Sequence, residues 1–307
     1  MSRFKNVAIM GTGAMGPGMG AVLSRAGMSV RMYDTRPEAL EAAKNMYGLA
    51  WGVLDKLETP DQGGGSVTYA SDVAEALDGV DAVVEAVPEK LELKKQVFAE
   101  YEQHVDPDAI LMSNTSGIPI TKIAEDLEHP GRVIGTHWSN PPHLIPMIEV
   151  IPGEKTSPAT VDAVLEMIGD VGYVPSRIKK EVPGFVENRV LYAIMRECLA
   201  LVDEGVVDLD ELDTNVKWGI GYKLAVIPPM QLLDMAGLDI DSAVASYLNQ
   251  DLSNEQGLSS TIQGLVDQGR LGMKTKGGIF DYTDEQIAEL RAKRFAGLVK
   301  VRKALSD

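Results

Sequence analysis

Residues 6–34, NVAIMGTGAMGPGMGAVLSRAGMSVRMYD, decide the fold. NVAIMG is a short, fully apolar run, as expected of a strand buried on both faces. AMGPGMGAVLSRAG follows as a small-residue helix closed by Gly27, and MSVRMYD is a second strand. Between the first strand and the helix lies GTGAMG, Gly11 to Gly16. The bare backbone at Gly11 and Gly13 allows a tight turn and lets a pyrophosphate approach the N–H groups at the helix end, while Gly16 lets helix pack on strand. Asp34 ends the second strand about twenty residues on, where a carboxylate accepts the adenosine ribose hydroxyls. Strand, turn, helix and acid together predict a dinucleotide site built from Gly11, Thr12, Gly13, Met15, Gly16 and Asp34. A 2′-phosphate beside Asp34 would meet a like charge at a cost of roughly 4 kcal/mol, which favours NAD over NADP. Arg36, two residues on, is the one group positioned to soften that preference.

The remainder of the first half keeps the alternation. VTYA, DAVVEAV, AILMSN and RVIGTHW are apolar runs separated by the helical patterns PEALEAAKNMYGLAWGVLDKL, LELKKQVFAEYEQHV and ITKIAEDL. This order predicts a parallel sheet with crossover helices. PMIEVI breaks it, because a short Pro-rich loop after RVIGTHW permits only a hairpin. His137 and Glu149 are then equidistant from the centre of that hairpin, facing the same side within side-chain reach. A carboxylate on one ring nitrogen fixes the imidazole tautomer and frees the other nitrogen as a base. A structural ion pair is the alternative reading. From Phe185 onward the period is helical. The expected organisation is therefore an α/β, doubly wound sheet of the Rossmann type over residues 1–183, followed by a smaller all-α domain over 184–307.

Composition excludes several classes of partner. Of 307 residues 45 are acidic and 29 basic, and the net charge of -16 repels nucleic-acid backbones and anionic lipid. No segment approaches the roughly 18 consecutive apolar residues of a membrane span. Cys198 is alone, which fits a reducing, cytoplasmic setting. With Leu191, Met195 and Val202 it shares one helical face, so it reads as a core residue. His104, His129 and His143 fall in polar or loop surroundings. A metal site of His137, His143 and Glu149 has no recognised ligand spacing, so no metal is expected.

VAIMGTGAMGPG, DAVVEAVPEKLELKKQVF, ILMSNTSGIPIT, VIGTHWSNPPHLIPMIEVI, VPGFVENR and GRLGMKTKGGIFDY together resemble, in order and spacing, the 3-hydroxyacyl-CoA dehydrogenase family over nearly the whole chain. The resemblance implies an NAD-binding domain and a helical domain that forms a homodimer. It implies His137 as base with Glu149 as partner, Ser116 and Asn188 near the reacting oxygen, and Asn140 at the nicotinamide end. It also implies Glu89 and Lys94 at the cofactor ribose, Val87 beside them, and Lys274 approaching NAD from the second domain. Acyl-CoA members carry a lysine-rich helical arm after the second strand. Here NMYGLAWGVLDKLETPDQGGG is short and nearly devoid of cations. The loop HWSNPPH and the segment WGIGYKLAVIPPMQLLDMAGLD are closer to members acting on small carboxylated substrates. One of these oxidises a pyridine-carboxylate aldehyde in vitamin B6 degradation, and here His137 backed by Glu149 would activate water to form the hydrate from which hydride passes to NAD. A gulonate- or carnitine-type hydroxy acid, an acyl-CoA, or a non-catalytic crystallin-like role are the alternatives. Trp138 and Trp218 are candidates to stack on a pyridine ring, and Lys223 or Arg189 to meet its carboxylate.

Overall fold

In β1 (Asn6–Met10), Val7 and Ile9 enter one apolar cluster while Ala8 and Met10 enter another. That alternation within an unbroken apolar run is what a sheet covered on both faces requires. The computed structural model describes residues 3–306. The chain divides into two compact units, one ending at Asn188 and the other beginning at Arg189.

The first unit runs β1, α1 (Gly16–Arg25), β2 (Ser29–Tyr33), α2 (Pro37–Lys56), β3 (Ser66–Tyr69), α3 (Val73–Leu77), β4 (Ala82–Glu85) and α4 (Leu91–His104). It continues through β5 (Ile110–Ser113), α5 (Ile120–Ile123), β6 (Val133–Trp138), β7 (Met147–Pro152), α6 (Pro158–Asp170) and β8 (Val174–Arg177). The eight strands form one sheet in the order β3-β2-β1-β4-β5-β6-β7-β8. The first six are parallel, β7 is antiparallel to β6, and β8 is parallel to β7. Strand order reverses between β1 and β4, and in such sheets the crevice beyond the strand ends at that point receives the ligand. Proline opens α2 at its first turn, where the missing N–H costs nothing.

One local reading changes, and two elements escaped the sequence reading. ITKIAEDL makes only the single turn of α5, because Glu125 and Asp126 at its end face the negative helix pole and bond Lys95 instead. VPSR forms the edge strand β8, whose exposed residues carry no alternation for a sequence to display. Helix α6, not read from the sequence, is capped by Ser157, whose side chain accepts the Thr160 N–H, and has Pro158 at the first helical position.

The second unit holds most of α7 (Glu187–Asp203), then α8 (Leu209–Asn215), a π-helical stretch Val216–Gly221, α9 (Tyr222–Leu224), α10 (Pro229–Ala236), α11 (Leu238–Asp251), α12 (Ser260–Asp267) and α13 (Asp284–Ser306). The α7 face expected to be core is only partly covered by the described residues. Leu191 is 42% and Met195 49% exposed, and Cys198 is half-buried. No helix among the described residues is long and apolar enough to cross a membrane.

Candidate active site

Gly11 follows β1 with φ +107°, and a Cβ there would stand 2.6 Å from the Ala86 carbonyl oxygen. Only glycine combines that dihedral with that closeness. Thr12 is buried, and both its N–H and its hydroxyl donate to Asp34 Oδ2, at 3.0 and 3.1 Å. Asp34 Oδ1 accepts the Arg36 N–H at 3.0 Å. Burial alone would push this carboxyl up, but the N–H groups of Thr12 and Arg36 hold it below the usual range. Oδ2 thus holds two donors, and Oδ1 keeps a lone pair for a further one. A cavity of about 520 Å³ opens here, lined by Gly11, Gly13, Asp34, Val87, Pro88 and Tyr101 among others. Its size and its acid lip fit the adenosine half of NAD. Met15, half-buried at the start of α1, packs against the core below the turn. Replacing Gly11 by alanine should weaken NAD binding about tenfold or more, read by fluorescence titration.

Across the switch point, β4 ends in Glu85, which is fully buried. Its partner is Lys94 of α4, also fully buried, with Nζ 2.7 and 2.9 Å from the two Glu85 oxygens and 3.3 Å from Glu89 Oε2. The Ser113 hydroxyl and the Val87 N–H complete the shell of Glu85. Lys94 thus faces the buried Glu85 and the half-exposed Glu89, which is the member of this group that reaches the surface. Glu89 also accepts the Thr115 hydroxyl at 2.6 Å and the Ser116 N–H at 2.8 Å, so it fixes the loop that carries Ser116. Sequence reasoning missed Glu85, although an acid closing an apolar strand was a visible signal.

His137 and Glu149 are direct partners in the β6–β7 register. Nδ1 lies 2.8 Å from Glu149 Oε2, and both residues are buried. Glu149 Oε1 accepts the N–H groups of Val186 and Glu187, at 2.9 and 3.1 Å, where α7 begins. Burial would raise the Glu149 carboxyl, but the His137 bond and these two N–H groups bring it below the ordinary value. The chain enters that position through Gly184 at φ +76° and Phe185 at φ +48°, a left-handed dihedral rare for a bulky residue. The buried Phe185 ring lies 5.9 Å from the His137 ring. Because the Glu149 carboxyl is depressed, its contribution to stability is full above its ordinary value of 4.5 and is lost as pH falls further. Melting temperature should drop below about pH 4.5, and less steeply in Glu149→Gln.

Asn188 Nδ2 donates to the Ser116 carbonyl at 3.0 Å, and the Trp138 N–H donates to Asn114 Oδ1 at 3.0 Å. These bonds join the loop after β5 to the end of β6 and the start of α7. Asn140 is exposed in the loop beyond Ser139. A Cβ on Gly18 of α1 would come within 2.7 Å of Pro142 and 2.8 Å of His143, so the hairpin loop rests directly on the helix of the glycine turn. Lys274, Trp218, Lys223 and Arg189 belong to the second unit, all exposed. The stacking expected of Trp138 is corrected: successive strand residues point to opposite faces, so its ring is buried in the core 5.7 Å from Tyr173. His137, Glu149 and Glu187 each place one ligand-type atom within 4.8 Å of the others. Glu149 already spends both oxygens on protein donors and has little to offer an ion.

Residues 6–182 match the 3-hydroxyacyl-CoA dehydrogenase NAD binding domain, and residues 184–282 match the C-terminal domain of the same enzymes. The chain belongs to the 3-hydroxyacyl-CoA dehydrogenase family and is an NAD-dependent dehydrogenase. It is 49% identical over 303 residues, 98% of each chain, to 5-formyl-3-hydroxy-2-methylpyridine 4-carboxylate 5-dehydrogenase of Mesorhizobium japonicum. A solved structure of such a 5-dehydrogenase, described as an NAD+ dependent dismutase, superposes with TM-score 0.97 at 48% identity, covering 99% of both chains. A probable 3-hydroxybutyryl-CoA dehydrogenase of Deinococcus radiodurans is 33% identical over 279 residues, 89% of this chain and 99% of that one.

Proposed function

We propose that this dehydrogenase oxidises the aldehyde of a small pyridine carboxylate to the acid, through the hydrate. The observation that carries the reading is the His137–Glu149 pair at the mouth of an NAD-binding sheet, in a chain so similar end to end to a pyridine-aldehyde dehydrogenase. The ionised Glu149 accepts from Nδ1–H, which leaves Nε2 to take the proton of the hydrate hydroxyl. Ser116 and Asn188, joined to each other beside the end of β6, orient the reacting oxygens. NAD, when bound, supplies the hydride acceptor. Aldehyde oxidation through a thiohemiacetal would need a reactive thiolate. The single cysteine lies in the second unit, and burial followed by the charges of Asp213 and Glu197 pushes its thiol up. Helix α2 ends at Lys56 with few cations, which disfavours a CoA phosphate.

The test is NADH production with the pyridine aldehyde, 3-hydroxybutyrate, carnitine and 3-hydroxybutyryl-CoA side by side. The pyridine aldehyde should give the highest kcat/KM, and a higher value for any of the others would overturn the reading. Iodoacetamide should leave the rate within about twofold; rapid inactivation at Cys198 would restore the thiol mechanism.

We infer further that the chain works as a cytoplasmic homodimer joined through the second unit. Tyr192, Met195, Met230, Met235, Tyr247 and Leu248 are all exposed there, and large apolar side chains open to water in such number suit a protein–protein contact. Sedimentation should return twice the 33.1 kDa chain mass.

A further inference from the structure

Oxidising an alcohol to an aldehyde removes one proton from oxygen, whereas oxidising an aldehyde with water to a carboxylate removes two. The dyad offers one vacant basic atom, Nε2 of His137, since both oxygens of Glu149 hold protein donors. A further carboxylate stands beside it. Glu187, the first residue of α7, gives its N–H to Glu149, while its own side chain turns toward Ser139 and accepts that hydroxyl on Oε2 at 2.5 Å. One of its oxygens lies within 4.8 Å of a His137 ring nitrogen. Half-buried, it borders both the dyad and solvent, and no donor among the described residues reaches its Oε1 in the hydrogen-bond network. A water bridging the Glu187 carboxylate and the imidazole would span at most the 4.8 Å that separates them.

We propose that Glu187 is the second base of this site and serves the aldehyde half-reaction specifically. The inference rests on the aldehyde reading given above. As the water oxygen bonds to the formyl carbon, one water proton passes to Glu187 and the carbonyl π pair moves onto the carbonyl oxygen, giving the hydrate anion. The C–H pair then leaves as hydride to the nicotinamide, the second hydroxyl proton passes to Nε2 of His137, and the carboxylate forms. Aldehyde, water and NAD+ become carboxylate, NADH and two protons, one on each base. Reduction of the same aldehyde by NADH moves a single proton, through His137. Glu187 therefore sets the ratio of aldehyde oxidation to aldehyde reduction. Ser139 holds it with one oxygen spent and the other available.

Glu187→Gln removes the base and keeps the Ser139 acceptor. Initial rates of NADH formation and NADH consumption with the pyridine aldehyde are read on the same full-length preparation. Oxidation should fall about a hundredfold, and the oxidation-to-reduction ratio should fall at least about tenfold. Glu187→Asp should restore part of that ratio. A misfolded variant would lose both rates together, so the ratio, checked against an unchanged melting curve, separates chemistry from folding. Equal losses in both directions, or an unmoved ratio, would overturn the role of Glu187 while leaving the aldehyde reading intact. Wild-type protein that forms no NADH from the aldehyde would overturn the aldehyde reading itself.

Discussion

Replacing His137 with alanine should lower kcat for NADH formation by about 10²- to 10⁴-fold, the range ascribed to a positioned general base. The lost group is the imidazole that Glu149 holds by one nitrogen and that takes the hydrate proton. NAD affinity should stay within about threefold, because the glycine turn and Asp34 are built from other strands. Glu149→Gln should fall in the lower part of the same range. Its amide still orients the ring but no longer stabilises the imidazolium, and it loses the charge that two N–H groups at the start of α7 receive. Steady-state kinetics with an independent NAD titration check both variants. A His137→Ala protein that keeps a tenth of the wild-type kcat would refute the assignment.

The second large effect is on stability. Lys94→Met leaves Glu85 buried with its charge unmatched, and breaking one side of a buried pair costs about 3–5 kcal/mol. For a domain of this size that is a fall in melting temperature of about 6–20 °C. Removing Glu85 as well, in a Lys94→Met and Glu85→Leu double variant, should recover most of the loss, since well-packed apolar groups replace a buried pair at little cost. The same Lys94→Met chain should show a higher KM for NAD, because Glu89 loses the ammonium that holds it over Ser116. Calorimetry of the two variants decides the matter. Equal destabilisation of single and double variants would mean that Lys94 contributes packing and not charge balance.

The dinucleotide turn was legible because its demands are local: Gly11 answers to its own dihedral and to one neighbouring carbonyl. The His137–Glu149 pairing was legible for a related reason, since a short loop fixes the register of a hairpin and register fixes which side chains meet. What the sequence hid depends on distant segments. Lys94 looks like any exposed lysine of a polar helix until β4 brings Glu85 beneath it. Trp138 looks available to a ligand, and only the two-sided burial of β6 turns it into the core. The face of α7 carrying Leu191 and Met195 has the period of a core helix, and periodicity cannot tell whether a face is covered by its own chain or by another. Glu187 hides in the same way. Its closeness to the dyad follows from the left-handed step at Gly184 and Phe185, which no helical pattern announces.

The most direct trial of the account is the fate of the formyl hydrogen. With excess NAD+ and a pyridine-carboxylate aldehyde deuterated at the formyl carbon, the NADH formed at initial rate should carry deuterium at C4 of the nicotinamide, one equivalent for each acid formed. NADH formed without deuterium, or acid formed with the formyl deuterium released to water, would contradict it.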